Sequence, residues 1–176
     1  EYIEVRCLDN NPFLRGSIDK HTAYFIEAYL MVSLIDENYP FDKNRIKEIQ
    51  DNWQNTVRKG RDPNLLLKRD GKTISVKDAA EEVFSKIYDY AYALPIEADD
   101  LKKKILRSLD IQKAKLRNSD LTPSGMILKE MEEKNVTWNE FCNNRAEINN
   151  RYYEMLKKDT TNIKISAEAS LQEFQN

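Results

Sequence analysis

AYFIEAYLMVSLI, Ala23 to Ile35, is the stretch on which the reading of the fold turns. Its apolar residues nearly encircle a helix, and that pattern predicts a buried central helix rather than a surface one. It is too short to cross a bilayer and contains Glu27, so a membrane span is not expected. Upstream, Ser17 is the expected N-cap. Downstream, Asp42 is the expected cap of a second helix, in which Ile46, Ile49, Trp53 and Val57 recur at helical spacing and Gly60 is the stop.

Further along, LLLKR and KTISV flank Asp70-Gly71, the dipeptide of tight hairpin turns. A small β-hairpin is expected near residues 65–76. Ser75 and Asp78 resemble a capping box for a helix to about Leu94, with Val83, Phe84, Ile87, Tyr88, Ala91 and Leu94 inside. After Pro95, Asp99 or Asp100 is expected to cap a helix carrying Leu101, Ile105, Leu109 and Leu116. Thr122-Pro123 starts another helix, because proline suits its first position. Thr137 to Glu140 (TWNE) reads as a further capping box, followed by a stripe of Phe141, Ile148, Tyr152 and Met155.

One segment is different. In EYIEVRCLDNNPF, Glu1 to Phe13, residues 2–8 alternate as in a strand, with Tyr2, Glu4 and Arg6 on one face and Ile3, Val5 and Cys7 on the other. Asn10, Asn11 and Pro12 end it. A lone strand has unpaired hydrogen-bonding groups on both edges, so its partners are expected upstream of Glu1. The expected fold is mainly α: a helical scaffold with one N-terminal strand, whose sheet partners lie upstream in a larger protein, and the hairpin. Residues 1–158 are expected as one folded region and 159–176 as a mobile tail.

The totals agree with this reading. The 176 residues suffice for one domain with a sizeable core. A net charge of −2 gives no overall pull toward nucleic acid or an anionic membrane. Four glycines and five prolines favour long helices over a turn-rich β fold. Cys7 and Cys142 make no metal or redox spacing, so the expected setting is the reducing cytoplasm with both thiols free. No leader peptide is expected, since the first residue already reads as strand.

Glu4 and Arg6, two apart on a strand, lie roughly 7 Å apart on one face. The plain reading is a cross-strand ion pair or a solvated face. The functional one is a carboxylate for a hard cation such as Mg²⁺ beside a guanidinium that grips phosphoryl oxygens. The segment EYIEVRCLDNNPF resembles the active-site strand of the bacterial type of glutamate–cysteine ligase, with Cys7 where a serine is expected. NWQNTVRKGRDPNLLL, Asn52 to Leu67, is similar to that family's Asn-Trp…Gly-Arg-x-Pro segment, and DLTPSGMILKEM, Asp120 to Met131, is a weaker echo. The family is related to glutamine synthetase.

The resemblance implies ATP-dependent joining of the glutamate γ-carboxylate to the amine of cysteine through a γ-glutamyl phosphate, the first step toward glutathione. It implies that Glu4 is a ligand of Mg²⁺ (or Mn²⁺) and that Arg6 is catalytic, contacting the terminal phosphate of ATP. It also implies that the chain is the C-terminal part of a longer ligase, inactive without the N-terminal part, and that its N-terminal strand belongs to the active-site antiparallel sheet of a larger α+β enzyme. Glutamate, cysteine and ATP are the expected partners, with no nucleic acid and no membrane. Two alternatives stay open: a non-catalytic helical interaction domain, and a glutamine synthetase-like ligase that uses another amine.

Other residues receive plainer readings. Cys7 and Cys142 are expected as small buried hydrophobes and His21 as a surface residue. Asp9 is expected at the turn rather than orienting Arg6. Tyr88 is expected in the core, with Tyr90 and Tyr92 peripheral. KKKILR, Lys102 to Arg107, reads as a solvated helix face among aspartates. Arg58, Lys59 and Arg61 either touch an anion or neutralise carbonyls at a helix end.

Overall fold

A computed structural model of the chain describes residues 3–36 and 42–157. Among these residues, six α-helices and one hairpin follow in order: α1 (Lys20–Ile35), α2 (Lys43–Lys59), β1 (Leu66–Arg69), β2 (Lys72–Ser75), α3 (Val76–Ala93), α4 (Asp99–Arg117), α5 (Pro123–Lys134) and α6 (Trp138–Lys157). The expected mainly helical fold and hairpin are both present. The expected tail, 159–176, lies outside the described residues, as does Tyr2.

The core of the first part of the chain is made by α1, α3 and α4. Ala28, Phe84, Ile87, Ala91, Ile105 and Leu109 form one buried cluster, with Phe25, Val32, Leu101 and Leu116 packed around it. Phe25 meets Phe84 edge to face, with ring centroids 6.1 Å apart. Each fully buried aliphatic side chain such as Ile87 or Leu109 contributes about 1.5–3 kcal/mol. The buried Ser108 hydroxyl donates to the Ile105 carbonyl at 2.7 Å, so no polar group is stranded there.

Several local signals act as expected. The Asp42 carboxylate accepts from the Arg45 N–H at 2.8 Å, and Ser75 Oγ accepts from the Asp78 N–H at 3.0 Å while donating back to its carboxylate. Asp70 and Gly71 both take positive φ, 53° and 74°, the pair of left-handed conformations a two-residue hairpin turn requires. Leu67 pairs with Ile74 in the antiparallel register. Pro123 opens α5, where Thr122 Oγ1 accepts from the Gly125 N–H at 3.1 Å. Gly125 is held to glycine by space, since a Cβ would sit 2.3 Å from the Ser119 carbonyl oxygen.

Other expectations are corrected. Residues 3–10 are irregular and exposed; the strand expected over 2–8 is absent among the described residues, because no ladder partner faces its N–H and C=O groups. The cap of α1 is Asp19, not Ser17: Asp19 accepts from the Thr22 N–H at 2.7 Å, while Ser17 has a left-handed φ of 63° and its carbonyl accepts from the Asn11 N–H. Burial pushes the Asp19 carboxyl up, but the hydrogen bonds from Thr22 outweigh it and hold the group below its ordinary value. Neither Asp99 nor Asp100 caps α4. Both lie in its first turn, after a short 3₁₀ turn at Ile96–Ala98, where their charge suits the helix dipole.

Helix α1 is less buried than its composition predicts. Only Ala28 is buried, while Leu34 and Ile35 are more than two-thirds exposed. Tyr88 is also exposed and stacks on Tyr92 one turn on, with ring centroids 4.5 Å apart, whereas Tyr90 packs against the core.

The chain divides into two compact units between Lys129 and Glu130. In the second, the TWNE box forms as expected: Glu140 accepts from the Thr137 N–H at 2.7 Å, and that bond lowers its carboxyl below the ordinary value. Glu130 pairs with Lys134 at 2.8 Å and with Arg145, whose guanidinium lies over the Phe141 ring.

Candidate functional site

Glu4 and Arg6 are brought together. The Arg6 guanidinium donates to Glu4 Oε2 at 2.8 Å, and both side chains face solvent, Arg6 being 81% and Glu4 48% exposed. Residues two apart in extended chain share a side, so the alternation read from the sequence places them correctly even without a ladder. An exposed ion pair of this kind contributes at most about 1 kcal/mol. Both groups stay open to solvent, and among the described residues nothing but this pair holds them in place.

The donor set tests the metal directly. Glu4 offers the hard oxygen that Mg²⁺ prefers, but Mg²⁺ binds through more than one anchor together with substrate phosphates. Among the described residues no group of three or more carboxylate, histidine or cysteine side chains is placed to hold a metal. Glu4 supplies one hard oxygen, and the described residues alone do not make a metal site.

The other candidates separate from this pair. Asp9 is bonded neither to Arg6 nor to the turn among the described residues. Asn11 supplies the turn instead, its Oδ1 accepting from the Phe13 N–H at 3.0 Å. Cys7 is exposed rather than buried, because the segment carrying it packs on no second layer, and Cys142 is half-buried; neither is in a disulfide. His21 is half-buried rather than at the surface, with Nδ1 out of contact with water. Lys102, Lys103 and Lys104 pair with Asp99 and Asp100, as a solvated face should.

Arg61 resolves part of the basic cluster. It donates to Asp120 Oδ1 at 2.9 Å, a bond that joins the Asn52–Leu67 stretch to the start of the Asp120–Met131 stretch. Two sequence segments 59 positions apart are thereby one structural joint. Arg58 lines an open depression with Asn52, Asn55 and Leu66. No motif announced the Arg61–Asp120 pair, since only the return of the chain after α4 brings its members together.

Comparison with known proteins gives the following. The glutamate–cysteine ligase family profile matches residues 1–56, the stretch holding Glu4 and Arg6. A glutamate–cysteine ligase of Pseudomonas fluorescens is 30% identical over 98% of this chain, which corresponds to 33% of that protein. One of Pseudomonas entomophila is 35% identical over 80% of the chain and 26% of its own length. The crystal structure of a glutamate–cysteine ligase from Francisella tularensis, in complex with AMP, superposes with a TM-score of 0.72 at 29% identity, covering 95% of this chain and 34% of that one. The chain spans about a third of the length of the relatives it matches.

Proposed function

We propose, from the premise that this chain belongs with the glutamate–cysteine ligases, that it forms part of an enzyme joining glutamate to cysteine at the expense of ATP. The observation that carries the reading is similarity along almost the whole chain to proteins of that name, with the profile match lying over Glu4 and Arg6. The AMP in the related crystal structure supports a nucleotide substrate.

In this reading the glutamate γ-carboxylate attacks the terminal phosphorus of ATP and ADP leaves. The cysteine amine then attacks the acyl carbon of the γ-glutamyl phosphate and inorganic phosphate leaves. The product is γ-glutamylcysteine, a precursor of glutathione. Arg6 contacts the phosphoryl group in flight and stabilises the charge that develops on its oxygens. Glu4 would help to hold a Mg²⁺ or Mn²⁺ ion, and that ion would supply charge neutralisation. The remaining ligands come from elsewhere in a longer polypeptide, so the chain alone is inactive. The proposed setting is the cytoplasm, in keeping with two thiols in no disulfide.

The test is ADP release by the full-length polypeptide carrying this chain, with Mg–ATP and glutamate, with and without cysteine. Cysteine-stimulated release is expected, and Arg6→Ala should lower it by about 100-fold or more while the protein stays folded. No release from a folded parent would overturn the ligase reading. Equal stimulation by ammonia would move the enzyme to a glutamine synthetase-like amine preference.

A further inference from the structure

Helix α2 carries two parallel stripes, and the wrong one is bonded. Arg45, Glu48 and Asn52 recur at three and four residues and face the hairpin. Glu48 accepts from both turn N–H groups, Asp70 at 2.9 Å and Gly71 at 2.7 Å, while Arg45 pairs with the Asp70 carboxylate. Asn52 bonds the Lys68 backbone twice, at 2.7 and 2.8 Å. About a third of a turn round, Ile46, Ile49, Trp53 and Val57 form the apolar stripe, and they are 41%, 45%, 54% and 67% exposed. No residue of α2 is buried.

This inverts the usual arrangement, in which a short helix is stabilised by packing its apolar face and leaves its polar face to water. The same unit contains a second incomplete element, the exposed 3–10 segment with Ile3, Val5 and Leu8 uncovered and no ladder partner among the described residues. The matched relatives and the solved ligase are about three times as long as this chain. A polypeptide of that additional length accounts for both features at once.

We propose that the Ile46–Ile49–Trp53–Val57 face of α2 is the seat on which the rest of the ligase polypeptide packs an apolar surface of its own. The α2–hairpin arm then works as a docking arm, its polar stripe fixing its shape and its apolar stripe making the attachment. The inference rests on the ligase reading for the identity of the occupant, but its readout is structural.

Amide hydrogen exchange tests it, compared over residues 43–59 in this chain alone and in the full-length polypeptide carrying it. The α2 amides should exchange at least about tenfold more slowly in the full-length protein, a shift from local opening toward global protection. Ile49→Asp with Val57→Asp should return α2 to the rate of the chain alone while α3 and α4 stay protected; retained protection there shows that the variant is folded. Equal α2 rates in the two proteins would overturn the proposal. So would α2 protection in the chain alone that grows with concentration alongside a dimer in sedimentation, which would give the face to a second copy. A protected α2 in a folded but inactive full-length protein would sink the ligase reading and leave the seat standing.

Discussion

The α1–α3–α4 core and the α2–hairpin arm both contain helices with a one-sided apolar stripe, α3 and α4 in the core and α2 in the arm, and are held by opposite means. In the core, Phe84, Ile87, Ala91, Ile105 and Leu109 interlock with Ala28 away from water. In the arm, the bonds that fix α2 to the hairpin come from Arg45, Glu48 and Asn52, and its apolar stripe stays outside. A strong apolar period states that a face wants cover; it does not state that this chain supplies the cover.

Substitutions sharpen the contrast. Leu109→Ala removes a side chain only 2% exposed and should cost about 2–5 kcal/mol in a denaturant titration, because a cavity remains where packing was complete. A cost below 1 kcal/mol would mean that the core is as loose as the arm. Asn52→Ala removes two exposed backbone contacts and should cost about 1 kcal/mol, felt as faster exchange of the hairpin amides rather than as global unfolding. Global unfolding by that change would erase the distinction between the two regions.

The smallest expected effect concerns the second unit, where an ion pair stands between these extremes. Burial raises the Glu130 carboxyl, but bonds from Lys134 and Arg145 outweigh it and leave the group below its ordinary value. A carboxyl depressed on folding contributes stability that is present above the ordinary carboxylate value and lost as pH falls through the lowered one. Protection of α6 amides should therefore weaken only in acid below about pH 4.5, the ordinary value, and Glu130→Gln should reduce that dependence, the remainder coming from the Glu140 cap. An unchanged profile in the variant would remove Glu130 from the account.

Much of this was legible in the chain because the signals were local. Asp42, Ser75, Thr122 and Thr137 each act within four residues of themselves, and the Asp70-Gly71 turn needs only its own two φ angles. Glu4 and Arg6 were legible for the same reason, since two-residue spacing in extended backbone fixes their side. Two misses were local, the caps of α1 and α4, where a neighbouring residue took the place expected of Ser17 and of Asp99 or Asp100; the others were non-local. Cys7 was expected to be buried and is exposed, and Tyr88 and Tyr90 exchanged places, because burial depends on which element arrives opposite. The strand over 2–8 was read from alternation, but a strand exists only with a neighbour to bond.

What the sequence determined by itself was the helical class, the caps at Asp42, Ser75, Thr122 and Thr137, the hairpin and the pairing of an acid with a base near Glu4, all set by short-range geometry and by periods of two and 3.6 residues. What the tertiary structure alone decided was which stripes are covered. It joined Arg61 to Asp120 across the α4 return and turned the polar side of α2 to the hairpin. Those outcomes depend on surfaces meeting from distant parts of the chain, and no local pattern encodes which surfaces will meet.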